Sequence, residues 1–64
     1  MRSALIESLA EKVVQTAESD VEARLLVVDF SIENQLNLYD LTTLAGKVQE
    51  RTGWPLLAFS AKAP

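Results

Sequence analysis

Residues 24–30 read Arg24-Leu25-Leu26-Val27-Val28-Asp29-Phe30, with four consecutive apolar side chains of which two are β-branched. A short apolar run of this kind is typical of a strand that is covered on both faces. We therefore predict a central strand over residues 21–30. Asp29 lies near the carboxyl end of this strand, where open α/β sheets usually display their polar chemistry.

A helical pattern precedes this strand over residues 3–18. Its apolar residues repeat at helical spacing on one side, and Ser3 is a suitable N-cap. We expect this helix to pack on the sheet through Leu5, Ile6, Leu9, Ala10, Val13, Val14 and Ala17.

A second helix has clear start and stop signals. Asn37 is a favourable N-cap, and Asp40 stands three residues later, as in a weakened capping box. Gly53 is typical of the left-handed position that ends a helix, and Pro55 prevents continuation. These signals predict a helix over residues 38–52.

A second apolar stretch, residues 56–59, predicts another strand after this helix. Strand, helix and strand in that order form a right-handed βαβ unit with parallel strands. The sequence thus predicts one small α/β domain over residues 1–64, with the element order α-β-α-β.

Two strands that are apolar on both faces need more cover than two helices supply, and their sheet edges would be unpaired. We therefore expect an obligate homo-oligomer, in the simplest case a dimer. Tyr39 and Trp54 are candidate interface residues because large aromatic side chains concentrate binding energy between partners. Gly46, on the outward face of the second helix, would permit close approach of another backbone.

Composition excludes several functional classes. The chain has no cysteine and no histidine, so disulfides, thiol catalysis and the usual zinc sites are excluded, and no cofactor is predicted. Nine acidic against six basic residues give a net charge of −3, which argues against nucleic acid as a partner. No apolar run approaches the roughly 20 residues of a membrane span, and no signal peptide is expected. We predict a cytoplasmic location.

Four polar residues form a candidate ligand site. Parallel strands would bring Asp29 and Ser31 near Ser60 and Lys62, close to the start of the second helix. Such an arrangement suits an anion or a carbonyl group. A serine nucleophile would have to rely on lysine, since histidine is absent.

The stretch from Leu25 to Phe59 resembles a shortened part of the STAS family, in which a strand ending in an acidic residue precedes a loop, a helix and another strand. The matching residues are 26–31 and 41–50. The first two strands of that family have no counterpart here, and Leu38 stands where the family often has its phosphorylated serine. The resemblance implies a binding module without catalysis.

Three hypotheses follow from the sequence. The first is a non-enzymatic protein–protein interaction module, such as an adaptor, inhibitor or assembly factor, that acts as a small acidic homo-oligomer. The alternative is a minimal ligand-binding or enzymatic domain using the four polar residues. A third hypothesis is that the chain is part of a larger protein.

Overall fold

The computed structural model describes residues 2–56 and contains three helices in that range. Helix α1 spans Ser3–Thr16, α2 spans Asp20–Glu33 and α3 spans Leu38–Thr52. None of residues 2–56 lies in a strand. The predicted α/β class, with its α-β-α-β order and βαβ unit, is therefore wrong, and this part of the chain is a small all-α bundle.

The largest correction concerns residues 21–30, which lie in α2 and not in a strand. Ser19 caps this helix, because its hydroxyl accepts the backbone N–H of Glu22 at 3.2 Å. Asp20 and Glu22 place negative charge in the first turn, where it interacts favourably with the helix dipole. Arg24 contacts Asp20 across one turn, with 3.4 Å between Nη2 and Oδ2. These local interactions favour the helix over the strand predicted from the apolar run.

The helix end of α2 is formed by a residue type that does not usually mark a helix end in a sequence. Gln35 adopts a φ of 53°, the left-handed conformation usually taken by glycine. Its N–H donates to the carbonyl of Ile32 at 3.2 Å, and the N–H of Leu36 donates to the carbonyl of Ser31 at 2.9 Å. These two bonds form a Schellman motif, and Leu36 then packs against the core. Without a glycine at this position, no helix end was apparent in the sequence.

The boundaries predicted for α3 are confirmed. The side chain of Asn37 accepts the N–H of Asp40 at 2.7 Å, as expected of an N-cap. At the other end Gly53 has a φ of 81°, and its N–H donates to the carbonyl of Gln49 at 2.8 Å.

We expect Asn37→Ala to lower the free energy of unfolding by about 1 kcal/mol, because the Asp40 amide loses its acceptor. In so short a chain this corresponds to a fall of several degrees in the melting temperature. Asn37→Asp is the matched control, since it retains an acceptor at the helix start. An unchanged thermal melt for Asn37→Ala would contradict the assigned start of α3.

The helix predicted over residues 3–18 is confirmed as α1, although it ends two residues earlier, at Thr16. The predicted cap is not, because Ser3 is the first helical residue and Arg2 precedes it without a side-chain cap bond. Arg2 instead contacts Asp40 at the start of α3, with 3.5 Å between Nε and Oδ2. This pair brings the first residues of α1 and α3 to the same end of the bundle, and a bond from Arg2 Nη1 to the carbonyl of Asn34 at 3.4 Å brings the end of α2 there as well.

The core lies between the three helices. Val13, Leu44 and Val48 are fully buried at its centre, and Ala23 and Val27 supply the inner face of α2. Leu56, the one described residue of the predicted second strand, is helical and is also buried here, at 1% exposure. Residues 57–59 of that strand lie outside the described part of the chain. The sheet edges that motivated the oligomer prediction are absent from residues 2–56, so self-association requires a different surface.

Candidate functional site

Helix α2 carries a second apolar face that points away from the core. Val21, Leu25, Val28 and Ile32 follow one another at intervals of four, three and four residues, which places them on one side of a helix. Three of them are exposed, Val21 at 57%, Leu25 at 60% and Ile32 at 71%, and Val28 is half-buried. We call these four residues the α2 stripe.

The α2 stripe has the spacing of a coiled-coil seam. Intervals of four, three and four residues are those of alternating d and a positions in a heptad repeat. Leu25 and Ile32 then take a positions, and Val21 and Val28 take d positions. An apolar row with this spacing is suited to receive another helix.

Charged residues of opposite sign border the α2 stripe on its two sides. Glu22 and Asp29 occupy e positions and are exposed. Arg24 occupies a g position on the other side, where its side chain is 33% exposed and bonds Asp20. In coiled coils these flanking positions determine partner choice and orientation.

The three predicted interface residues have different environments. Tyr39 is 78% exposed near the start of α3, next to Leu38 at 77%. Trp54 packs against the core, and its backbone N–H donates to Thr52 Oγ1 at 3.1 Å. Gly46 is half-buried and lies seven residues after Tyr39, on the same side of α3. Of the three, Tyr39 presents the large exposed surface that an interface contact requires.

The structure does not bring the described members of the predicted ligand site together. Asp29 is exposed on α2, whereas Ser31 is buried at 4% exposure. Two residues apart on a helix, they point about 200° apart around its axis. Ser60 and Lys62 lie outside the described residues, so the four-residue site stays a prediction.

Ser31 has a hydroxyl that is buried without a hydrogen-bond partner. We expect Ser31→Ala to raise the free energy of unfolding by about 1 kcal/mol, because alanine removes an unsatisfied polar group and favours the helix. Ser8→Ala, at an exposed position of α1, is the control for helix propensity alone. A denaturant melt in which Ser31→Ala lowers stability would show that the hydroxyl has a favourable contact.

A cleft of about 500 Å³ lies between the starts of α1 and α3, and Arg2, Tyr39, Asp40 and Lys47 are among its lining residues. Its charged groups are already paired. Arg2 contacts Asp40, and Lys47 Nζ lies 2.7 Å from Oε2 of Glu7 on α1. No residue of the cleft is left as an obvious anchor for an anion.

Glu7 joins α1 to α3 through two cations. Lys47 and Arg51 both bond its carboxylate, and these hydrogen bonds, that of Lys47 being the larger cause, lower the pKa of Glu7 from 4.5 to about 2. Since the folded chain binds fewer protons than the unfolded chain between these values, the stabilisation is complete above pH 4.5 and is lost as the pH falls toward 2.

We therefore expect the melting temperature to fall between pH 4.5 and pH 2, and Glu7→Gln to make that fall shallower. The carboxylate is half-exposed, so the effect should shrink in high salt. Glu11→Gln, an exposed change on the same helix, is the matched control. If Glu7→Gln and Glu11→Gln gave the same pH profile, the contribution assigned to Glu7 would be wrong.

Sequence reasoning missed the α2 stripe because it placed residues 21–30 in a strand. The signal was nevertheless present in the four-three-four spacing of its apolar residues. Within residues 2–56, potential metal-ligating side chains form no cluster of three or more, and none of the helices has the length and apolar character of a membrane span.

Comparison with known proteins gives no relative for this chain: no family model, no curated protein and no solved structure matches it.

Proposed function

We propose that this chain is a non-enzymatic protein–protein interaction module that acts as a small acidic homodimer, in a cytoplasmic setting, with the α2 stripe as its self-contact surface. The observation that carries the proposal is the exposure of Val21, Leu25 and Ile32 at 57–71% in a helical register that faces away from the core. A large apolar row open to water is typical of an interaction site.

A second copy of the chain is the occupant that the charges favour. The acidic side of one α2 stripe, at Glu22 and Asp29, is complementary to the basic side of another, at Arg24. A helix with only acidic flanks would lack this complementarity to itself. The same surface therefore supplies both apolar cover and a matching pattern of charge.

The apolar contribution is consistent with a dimer of moderate strength. Full burial of one valine, leucine or isoleucine contributes about 1.5–3 kcal/mol, and the exposed members of the α2 stripe would contribute part of that in each copy. Association costs several kcal/mol in lost freedom of motion. We expect a dissociation constant on the order of micromolar, which corresponds to about −8 kcal/mol.

A contact with a different protein would use another surface. Leu38 and Tyr39 are the other exposed large apolar side chains reported for residues 2–56. They lie at the start of α3 and are not part of the α2 stripe, so they offer a second surface for a protein partner. Adaptor, inhibitor and assembly roles all fit such a two-surface module.

Sedimentation equilibrium across the micromolar range at about 0.15 M salt tests the homodimer, because long-range repulsion between the two acidic copies is largely screened there. We expect a monomer–dimer equilibrium and a melting temperature that rises with protein concentration. A monomer at all concentrations, with a melt independent of concentration, would refute the proposal. The alternative of a ligand-binding site at Asp29, Ser31, Ser60 and Lys62 has no described contact in its favour.

A further inference from the structure

The two orientations available to a pair of α2 helices place different charges opposite each other. In a parallel pair, a g residue of one helix approaches the e residue five positions later in its partner, so Arg24 meets Asp29 of the second copy. In an antiparallel pair, e residues approach e residues, so Glu22 meets Asp29 of the second copy. The first contact is attractive and the second is repulsive.

We propose that two copies of the chain pair through α2 in parallel and in register, with Arg24 of each copy contacting Asp29 of the other. This inference rests on the proposed homodimer and adds the orientation of its helices. A two-fold axis parallel to α2 generates both contacts from one, as expected of a symmetric dimer.

Arg24 lies at the edge of the α2 stripe and keeps part of its side chain accessible. The side chain is 33% exposed, its Nε is buried, and its Nη2 lies 3.4 Å from Oδ2 of Asp20. The accessible part of the side chain is the part that a carboxylate of the second copy would meet. Asp29 is exposed on the other side of the α2 stripe and therefore open to a partner.

Disulfide trapping distinguishes the parallel from the antiparallel pair. Because the chain has no native cysteine, only the introduced cysteines can cross-link. In the parallel pair Val21 lies beside Val21 of the other copy, and a Val21→Cys variant should cross-link to itself. In the antiparallel pair the two positions would be displaced by 11 residues, about 16 Å along the axis. A disulfide needs its two Cα atoms within about 7 Å.

The experiment compares the rates of dimer cross-linking for Val21→Cys alone, Ile32→Cys alone and an equal mixture of the two under mild oxidation. The parallel pair predicts that each variant links to itself at least tenfold faster than Ser8→Cys, an exposed control on α1, and that mixed disulfides are rare. Predominance of the mixed disulfide would overturn the parallel orientation while leaving the dimer intact.

Charge reversal gives a second, independent readout. Asp29→Lys should weaken the dimer about tenfold by placing a lysine opposite Arg24, and Arg24→Glu combined with Asp29→Lys should restore it. In an antiparallel pair, Asp29→Lys would instead place a lysine opposite Glu22 of the second copy, and the dimer would become stronger. If sedimentation shows the unmodified chain to be monomeric, the proposed function fails. If it is dimeric and Asp29→Lys tightens it, only the orientation fails.

Discussion

Leu44→Ala is expected to lower the free energy of unfolding by about 2–5 kcal/mol, the usual range for a buried leucine replaced by alanine. Leu44 is fully buried at the centre of the bundle and is among the largest side chains there. This loss is a large fraction of the roughly 5–15 kcal/mol by which a typical domain is stable against unfolding. A thermal melt should therefore shift down by at least about 8 °C, at about 4–8 °C per kcal/mol.

Leu38→Ala is the matched control for this prediction. It makes the same substitution on the same helix, but Leu38 is 77% exposed. Surface substitutions of this kind usually change stability by less than about 0.5 kcal/mol. Equal losses for Leu44→Ala and Leu38→Ala would mean that the core is not where the three helices place it.

The second large effect is expected on self-association. Leu25→Glu combined with Ile32→Glu should weaken the homodimer at least a hundredfold, which is about 2.7 kcal/mol. The double substitution removes two exposed apolar side chains from the α2 stripe and would bury four like charges in the seam. Both positions face away from the core, so the far-ultraviolet circular dichroism of the monomer should stay helical.

Leu38→Glu serves as the control for this pair, since it adds one negative charge, half that of the double substitution, at an exposed leucine outside the α2 stripe. Its dissociation constant should match that of the unmodified chain within a few fold. Analytical ultracentrifugation of the variants gives the comparison. If Leu38→Glu weakened the dimer as strongly as the double variant, the contact would involve the start of α3 and not the α2 stripe.

The sequence predicted α1 and α3 well because both have one apolar face, and α3 also has recognisable ends. In α3 the side chain of Asn37 and the left-handed Gly53 set the two boundaries, as expected from their positions in the sequence. In α1 the apolar spacing alone was sufficient, although the cap predicted at Ser3 is absent. Local chemistry therefore determines these two elements.

Helix α2 was harder to recognise because it is apolar on two sides. Ala23 and Val27 face the core while Leu25 and Val28 belong to the α2 stripe, so consecutive apolar residues conceal the helical period. A strand covered on both faces produces the same pattern. The loss of that strand also removes the basis of the resemblance to the STAS family.

The grouping of Asp29 with Ser31 in the predicted ligand site depended on the same strand. Asp29 and Ser31 were grouped because a strand would have ended beside them, but on a helix they face different directions. Tyr39 is 78% exposed near the start of α3, and its role at an interface stays a prediction. The four-three-four spacing of the α2 stripe can be interpreted as one face only once residues 21–30 are known to be helical.

The most direct test of the α2 stripe is a nuclear magnetic resonance dilution series, from millimolar to low micromolar protein, on the backbone of the unmodified chain. We predict helical Cα chemical shifts throughout Asp20–Glu33. We also predict that concentration-dependent amide shifts cluster around Val21, Leu25, Val28 and Ile32. Strand-like Cα shifts over residues 21–30, or amide shifts that do not change on dilution, would contradict the account.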